Sequence, residues 1–435
     1  MIDATHKLPM NRQAELLAIS RSKLYYLPRP ASAADLMLMR RIDELHLNYP
    51  FAGSRMLRDM LRLMPSRRNM SGAPAKHAKN NGGIMNSSSG IAARRPSMQA
   101  SKTQPVVWWA WFGGFCILMA ASWIVRWMMS ADFAATLPSA QAMAETPVAT
   151  QKMITFFEAG SALTALGFFL YWFLKAKLQT GKLSFMGLLC VASMTTYALN
   201  PAENYYSYGI AYSSFLHNWG SWSNMIPGFS YPNQNHFPES PFMWGASYVW
   251  FNLVFAVMFY WIWKQLDARF PGMGLPAKVG VLLVVMFFTD VVVESLALRM
   301  TQTYGYIGAI QSWCFFGGHW YQFPVYIGVI TAFFWFGVTS LMYYRDDKGY
   351  SWAERGADKL NVSEGARTFV RFLGISGAMW AITLGTYFIP VQWLYTHGDA
   401  FPVDTPAHLL NTHVLCGEAV GYACPGPGVP IPRRN

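Results

Sequence analysis

Long apolar stretches begin at Pro105 and recur through the rest of the chain. Seven stand out: Val106–Met129, Ile154–Leu174, Leu183–Leu199, Phe242–Trp263, Ala277–Leu298, Pro324–Tyr344 and Phe369–Leu394. A bilayer-crossing helix needs roughly 17–25 predominantly apolar residues. All seven reach that length, Leu183–Leu199 at its lower limit, where a tilted or re-entrant segment is the alternative. The pattern predicts an all-α fold: a polytopic membrane helical bundle of about seven transmembrane helices, in a multi-pass protein of the cell membrane.

Ahead of Pro105 the pattern changes twice. Residues 1–63 read as a small soluble helical segment. The run Asn11–Ser20 is followed by Arg21-Ser22-Lys23-Leu24-Tyr25-Tyr26 and then by Pro28-Arg29-Pro30, two short helices with a tight break, as in a helix-turn-helix. Leu36, Met39, Ile42 and Leu45 recur at helical spacing within Asp35–Tyr49. Residues 64–104 are rich in Ser, Asn, Gly, Lys and Arg and nearly free of large apolar residues, so a disordered linker is expected there. The expected organisation is thus 1–63, a linker at 64–104, a membrane domain at 105–395 and a Pro/Gly-rich tail at 396–435.

Composition agrees with the membrane reading. Apolar residues make up 53% of the 435 and charged residues only 13%, about half the share usual in soluble domains. The formal charge of +12 is unevenly placed. Residues 1–104 carry 17 Lys and Arg against 6 Asp and Glu, and the remainder 17 against 16. Within the membrane part, Lys175, Lys177, Lys182, Lys264, Arg269, Lys278, Arg345, Lys348, Arg355, Lys359, Arg367 and Arg371 all fall in or beside alternate connections. The opposite connections hold only Lys152 and Arg299, and the tail Arg433 and Arg434. Cytoplasmic loops collect Lys and Arg, so the expected orientation is N-terminus in and C-terminus out. Cys116, Cys190 and Cys314 lie in apolar stretches. Cys416 and Cys424 lie in the tail and could pair if it is extracytoplasmic, a point their spacing leaves open.

The candidate chemistry is acidic. Asp290 and Glu294, in FFTDVVVESLALRM, sit four residues apart and share a helix face. Two carboxylates that close in a low dielectric do not both ionise easily, and a carboxylic acid beside a carboxylate is a general acid/base arrangement. Intramembrane acids are costly and point to function. The structural alternative is pairing with Arg126 or Arg299. The connection Asn200–Tyr248 has no Lys or Arg and is dense in Tyr, Trp, Asn and Pro. It reads equally as a lid over a pocket and as an ordered interfacial cap. It supplies Glu203 as a further candidate acid and Asn204, Tyr205, Trp219, Trp222 and Glu239 as candidate substrate contacts. His319, in GGHWYQFP, is another, although an interfacial marker is the plainer reading. No phosphate-loop, His-x-x-x-His or Cys-x-x-Cys motif occurs, so no metal or other cofactor is expected.

Two resemblances add to this. The runs RQAELLAISRSKLYYLPRP and MRRIDELHLNYPFAGSRMLRDML closely resemble the N-terminal part of IS3-family transposases. The resemblance ends at Leu63, without the family's catalytic core. It implies a remnant joined by gene fusion rather than a working DNA-binding module, and a nucleic-acid partner is not expected. In the membrane part, NPAENYYSYG, SSFLHNWGSW and MIPGFSYPNQNHFPES, followed by the Asp290/Glu294 span, resemble the AveC-like spirocyclase family of secondary metabolism over residues 105–400. That resemblance implies a membrane protein that closes a dihydroxy-ketone polyketide to a spiroketal and allows or suppresses a dehydration; its expected partners are the lipid bilayer and a lipophilic small-molecule substrate. It carries over no catalytic residues. A non-enzymatic carrier or transporter using the acids as a proton relay, and a membrane-tethered DNA-binding protein, are the competing classes.

Overall fold

The computed structural model describes residues 32–48, 104–133, 139–410 and 415–424, with two single positions, 426 and 429, in the tail. The chain divides into two units, Met1–Pro96 and Ser97–Asn435. In the first, Ala33–Asn48 forms a helix, α1, as its apolar spacing predicts. Its entry is fixed by Ser32 and Asp35, whose side chain and backbone exchange hydrogen bonds across the first turn. The proposed helix-turn-helix and the linker lie outside the described residues.

The second unit is an all-α membrane bundle. Among the described residues, six helices are long and apolar enough to cross a bilayer: α2 (Pro105–Met128), α3 (Val148–Thr180), then, after the short helix α4 (Phe185–Thr195), α5 (Pro241–Arg269), α6 (Leu275–Thr301), α7 (Val325–Tyr343) and α8 (Glu364–Tyr395). The protein is a multi-pass membrane protein. Large apolar side chains such as Trp111, Phe115, Leu163, Phe288, Ile389 and Trp393 face outward from these helices, a surface that suits lipid and not water. Their ends follow ordinary capping rules. Pro105 and Pro241 open helices where the missing N–H costs nothing. Ser240 and Ser363 accept from Met243 and Ala366 one turn on. Gly181, at φ +69°, closes α3.

The expected seventh full-length helix at Leu183–Leu199 is corrected. It is an eleven-residue helix, α4 (Phe185–Thr195), continued by a 3₁₀ segment over Thr196–Asn204. At 1.5 Å per residue α4 is only about 16 Å long. Pro201 has no N–H to donate, and Asn200, Glu203 and Asn204 are polar, so the apolar helix cannot simply run on. Seven of its eleven residues are buried inside the bundle, and its apolar character serves packing rather than lipid contact.

The two ends of the bundle differ chemically. At one end, Val106 N donates to Arg355 O (3.1 Å), and the ion pairs Lys182–Glu364 (2.9 Å), Lys278–Asp267 (2.8 Å) and Arg371–Glu354 (2.8 Å) gather the basic connections. The other end is capped by the long connection between α4 and α5, by residues 302–324 and by the segment after α8. There β1 (Ala211–Tyr212) pairs antiparallel with β2 (Tyr304–Gly305), and Trp222 donates to Ala198 O (2.8 Å). The cap fits closely: a Cβ on Gly308 would stand 2.4 Å from Tyr208 O, and one on Gly398 2.0 Å from Gly308 O. Cys416 and Cys424 are joined by a disulfide in the tail.

Because the first membrane helix of the second unit begins at Pro105, a chain started near Met85 is expected to insert and act like the full one. Loss of insertion at equal expression, read by membrane fractionation, would show that the N-terminal unit is required.

Candidate functional site

Beneath the cap, a cavity of about 440 Å³ opens among α3, α5, α6, α7, α8 and the Thr196–Asn204 segment. Most of its wall is apolar, including Phe157, Trp244, Phe251, Val293 and Phe334, but Glu203, Asp290 and Glu294 all reach it. The spacing on α6 does what a helix face dictates: Asp290 and Glu294, one turn apart, both line the cavity. Glu203 arrives from a different element, carried there by the 3₁₀ segment.

Each acid has its own surroundings. Glu294 Oε1 accepts from Tyr304 Oη (2.8 Å) and Tyr306 Oη (2.6 Å). Glu203 Oε2 accepts from Tyr212 Oη (2.7 Å). Asn200 Nδ2 donates to Tyr212 Oη (3.0 Å) and to Glu239 Oε2 (2.7 Å), and Asn200 Oδ1 accepts from Tyr248 Oη (3.2 Å). Asp290 is 1% exposed and neither of its carboxyl oxygens has a hydrogen bond of normal geometry; Thr331 of α7 is its polar neighbour. Among the described residues no cation pairs with Asp290 to offset the cost of burying its charge.

The structural alternative for α6 was a cation. Among the described residues no ion pair reaches Asp290 or Glu294. Arg299 lies over the rings of Phe316 (4.2 Å) and Tyr321 (4.4 Å), and Arg126 faces outward. Glu158 is a buried acid that is tied structurally: its oxygens accept from Ser240 Oγ (2.6 Å) and His217 N (3.1 Å) and meet His217 Nδ1 (2.7 Å).

Burial pushes the Glu203 carboxyl from an ordinary 4.5 up to about 7; hydrogen bonds from Tyr212 and Tyr387 oppose the rise and the nearby Glu294 adds to it. Burial likewise holds Glu239 well above the usual carboxylate range, against the hydrogen bond from Asn200. The phenols of Tyr212, Tyr304 and Tyr306 are held well above their usual range, first by burial, and so stay protonated as donors.

The raised Glu203 value carries a stability consequence. An acid that binds its proton more tightly folded than unfolded costs nothing below the unfolded value of 4.5. The cost grows as pH rises toward 7 and is then constant. Glu203→Gln is expected to remove it, on the order of 3 kcal/mol at pH 8 and almost nothing at pH 4. Thermal unfolding of both proteins across that range checks this; parallel curves would show that Glu203 ionises freely.

The remaining sequence candidates lie elsewhere. Asn204 spends its amide on the backbone, donating to Ile210 O (2.9 Å) and accepting from Gly209 N (2.9 Å) and Ile210 N (3.1 Å). Tyr205 donates to Pro227 O within the cap. Trp222 packs edge-on against Trp127 and Tyr197, and Trp219 lies beside Phe242. Glu239 stands behind Asn200, one residue removed from the cavity. His319 is at the cap surface, paired with Asp404 (2.9 Å). Sequence reasoning missed Asn200, Tyr212, Tyr304, Tyr306 and Tyr387. The available signal was Tyr304-Gly305-Tyr306, an alternation directly after the acidic helix. Tyr387 is turned into the cavity by a π-helical stretch, Leu384–Phe388, a local widening often found at functional sites. Among the described residues no three His, Cys, Asp or Glu side chains cluster closely enough to hold a metal ion.

Fold and site together define a membrane-embedded helical bundle enclosing an apolar chamber with an acidic, tyrosine-rich end. Residues 181–409 match the family model described as spirocyclase AveC-like, and with more than half of its length matched the chain belongs to that family. The matched stretch contains all three acids and most of the cap. No characterised protein and no solved structure matches the chain, and nothing supports the transposase resemblance of residues 1–63.

Proposed function

We propose that this protein is a cofactor-independent cyclase that closes a lipophilic dihydroxy ketone to a spiroketal, with dehydration as a related outcome. The observation that carries this reading is the convergence of Glu203, Asp290 and Glu294 on one apolar chamber without a cationic partner among the described residues. The chemistry asks for little else. One substrate hydroxyl adds to the ketone and gives a hemiketal. Asp290, poorly able to carry charge where it sits, donates a proton to the hemiketal hydroxyl, which leaves as water. The carboxylates of Glu294 and Glu203, held by tyrosine hydroxyls, offset the positive charge of the oxocarbenium that remains. The second hydroxyl attacks that carbon, forms the new C–O bond and returns its proton to Asp290. The net change is loss of one water. Transfer of a proton from a neighbouring carbon to the same carboxylate would instead eliminate water and leave an alkene.

The apolar wall orients the substrate and fixes which face the second hydroxyl attacks. Comparing the metabolites of cells with and without the gene tests the assignment: an open dihydroxy ketone should accumulate when the gene is lost, and an unchanged profile would refute it. The reading also takes the capped end as extracytoplasmic. Reporter fusions after Ser230 should then report the outer side and fusions after Arg269 the cytoplasm; the reverse would invert the orientation.

A further inference from the structure

The chamber is not closed equally on all sides. Toward the cap its lining is sealed: Ile210, Tyr212, Tyr304 and Tyr306 are 3%, 1%, 6% and 1% exposed. Toward α3 the situation reverses. Leu296 and Met300 line the chamber and yet are 54% and 56% exposed on the outside of the bundle. Helix geometry explains how both hold. At about 100° per residue, the lining positions of α6 sweep from Asp290 and Glu294 on the inner face, through Ala297 and Val293, to Met300 and Leu296 on the lipid side. The chamber therefore wraps around α6 from its acids to its outer surface. Phe157 of α3 and Trp250 of α5, both only partly buried, border the same edge. Above it, Thr150 Oγ1 meets Gln302 Oε1 (3.4 Å) and ties α3 to α6 at the capped end.

From this we infer that the chamber is loaded sideways from the bilayer, through a mouth between α3 and α6 framed by Phe157, Leu296 and Met300. The inference rests on the reading that the chamber is where the chemistry occurs. The mouth is apolar and the acids lie at the deep end, so the route suits an amphiphile that enters with its hydroxyl- and ketone-bearing part first. Its hydrocarbon part stays between the helices or in lipid. Arg299, at the next position of α6 from Met300, rests on Phe316 and Tyr321 at the cap. This puts the mouth just below the level where the chain meets water. An aqueous route would have to part the cap, where Gly308 and Gly398 lie close against backbone.

The test uses the full chain in phospholipid vesicles and a long-chain dihydroxy ketone carrying a diazirine beside the ketone. After irradiation, mass spectrometry should find label on Glu203 or Asp290, because carboxyl groups trap such probes. In Leu296→Trp/Met300→Trp that interior label should fall about tenfold, since a packed indole leaves no passage. In Leu296→Ala/Met300→Ala it should persist or rise. A diazirine-bearing phospholipid should label Phe288 and Val292 equally in all three proteins, which shows that they are inserted and folded. Met300→Trp alone gives the same reading if the double variant does not insert. Interior label unchanged by the Trp substitutions, or a water-soluble short-chain probe reaching Asp290 equally well in the Trp variant, would overturn lateral entry. Labelling needs no turnover. Mouth-dependent interior label without product would thus leave the route standing and refute the cyclase reading instead.

Discussion

Replacing Asp290 with Asn is expected to lower turnover of a dihydroxy ketone by on the order of a hundredfold or more, the usual contribution of a positioned general acid, while the protein inserts and folds as before. The two halves of that expectation come from one observation. Among the described residues Asp290 makes no ion pair and no well-formed hydrogen bond, and an amide of nearly the same shape can keep Thr331 as its neighbour. Stability should move by no more than about 1 kcal/mol. Had Asp290 been the partner of a buried arginine, the same change would strand the cation and cost about 3–5 kcal/mol. Glu294→Gln should behave similarly, since an amide oxygen can still accept from Tyr304 and Tyr306. Product formation and detergent thermal stability, measured on the same preparations, separate the cases. Stability lost together with activity would make the pair structural. Full activity with normal stability would remove it from the mechanism.

Gly377→Val is expected to have the largest effect on the fold itself. Where α2 crosses α8, a Cβ on Gly377 would stand 2.1 Å from Trp109 O, and one on Gly113 2.1 Å from Leu373 O. Both obstacles are backbone, so no side chain can swing aside. Membrane helices associate through close packing of small residues, because lipid supplies no hydrophobic drive between them. Forcing the two helices apart should cost on the order of 3 kcal/mol or more. Gly385→Ala, where no atom lies within 4 Å of the added carbon, serves as the control on the same helix. The Val variant should fail to yield folded protein in detergent while the control purifies normally. Equal thermal stability of the two would show that this crossing is not needed.

Much of the architecture was legible because six apolar runs are long enough to admit one interpretation, and the basic residues collect at one end of the helices. The short helix α4 deceived for a physical reason. Hydropathy reports how apolar a run is, and cannot distinguish a surface facing lipid from one packed inside the bundle, where Leu188, Leu189, Cys190 and Ala192 lie. The acids were legible for a similar reason: a carboxyl group in an apolar helix is conspicuous, and four-residue spacing places Asp290 and Glu294 together. Their partners were not. Tyr212, Tyr304, Tyr306 and Tyr387 come from separate segments, brought to the acids by the β1–β2 pairing and the π-helical stretch of α8. Asn204 and Trp222, candidate substrate contacts in the sequence, turn their polar atoms to backbone groups, an arrangement that a sequence does not reveal.

We propose that three carboxyl groups in one membrane chamber carry out the cyclisation. The most direct test is the purified protein in lipid nanodiscs, supplied with a long-chain dihydroxy ketone, beside the variant Glu203→Gln/Asp290→Asn/Glu294→Gln. The unaltered protein should form a spiroketal one water lighter than its precursor, as a single stereoisomer. The folded triple variant should form it no faster than empty nanodiscs. A triple variant that gives the same isomer at the unaltered rate would show that these carboxyl groups do not carry the reaction.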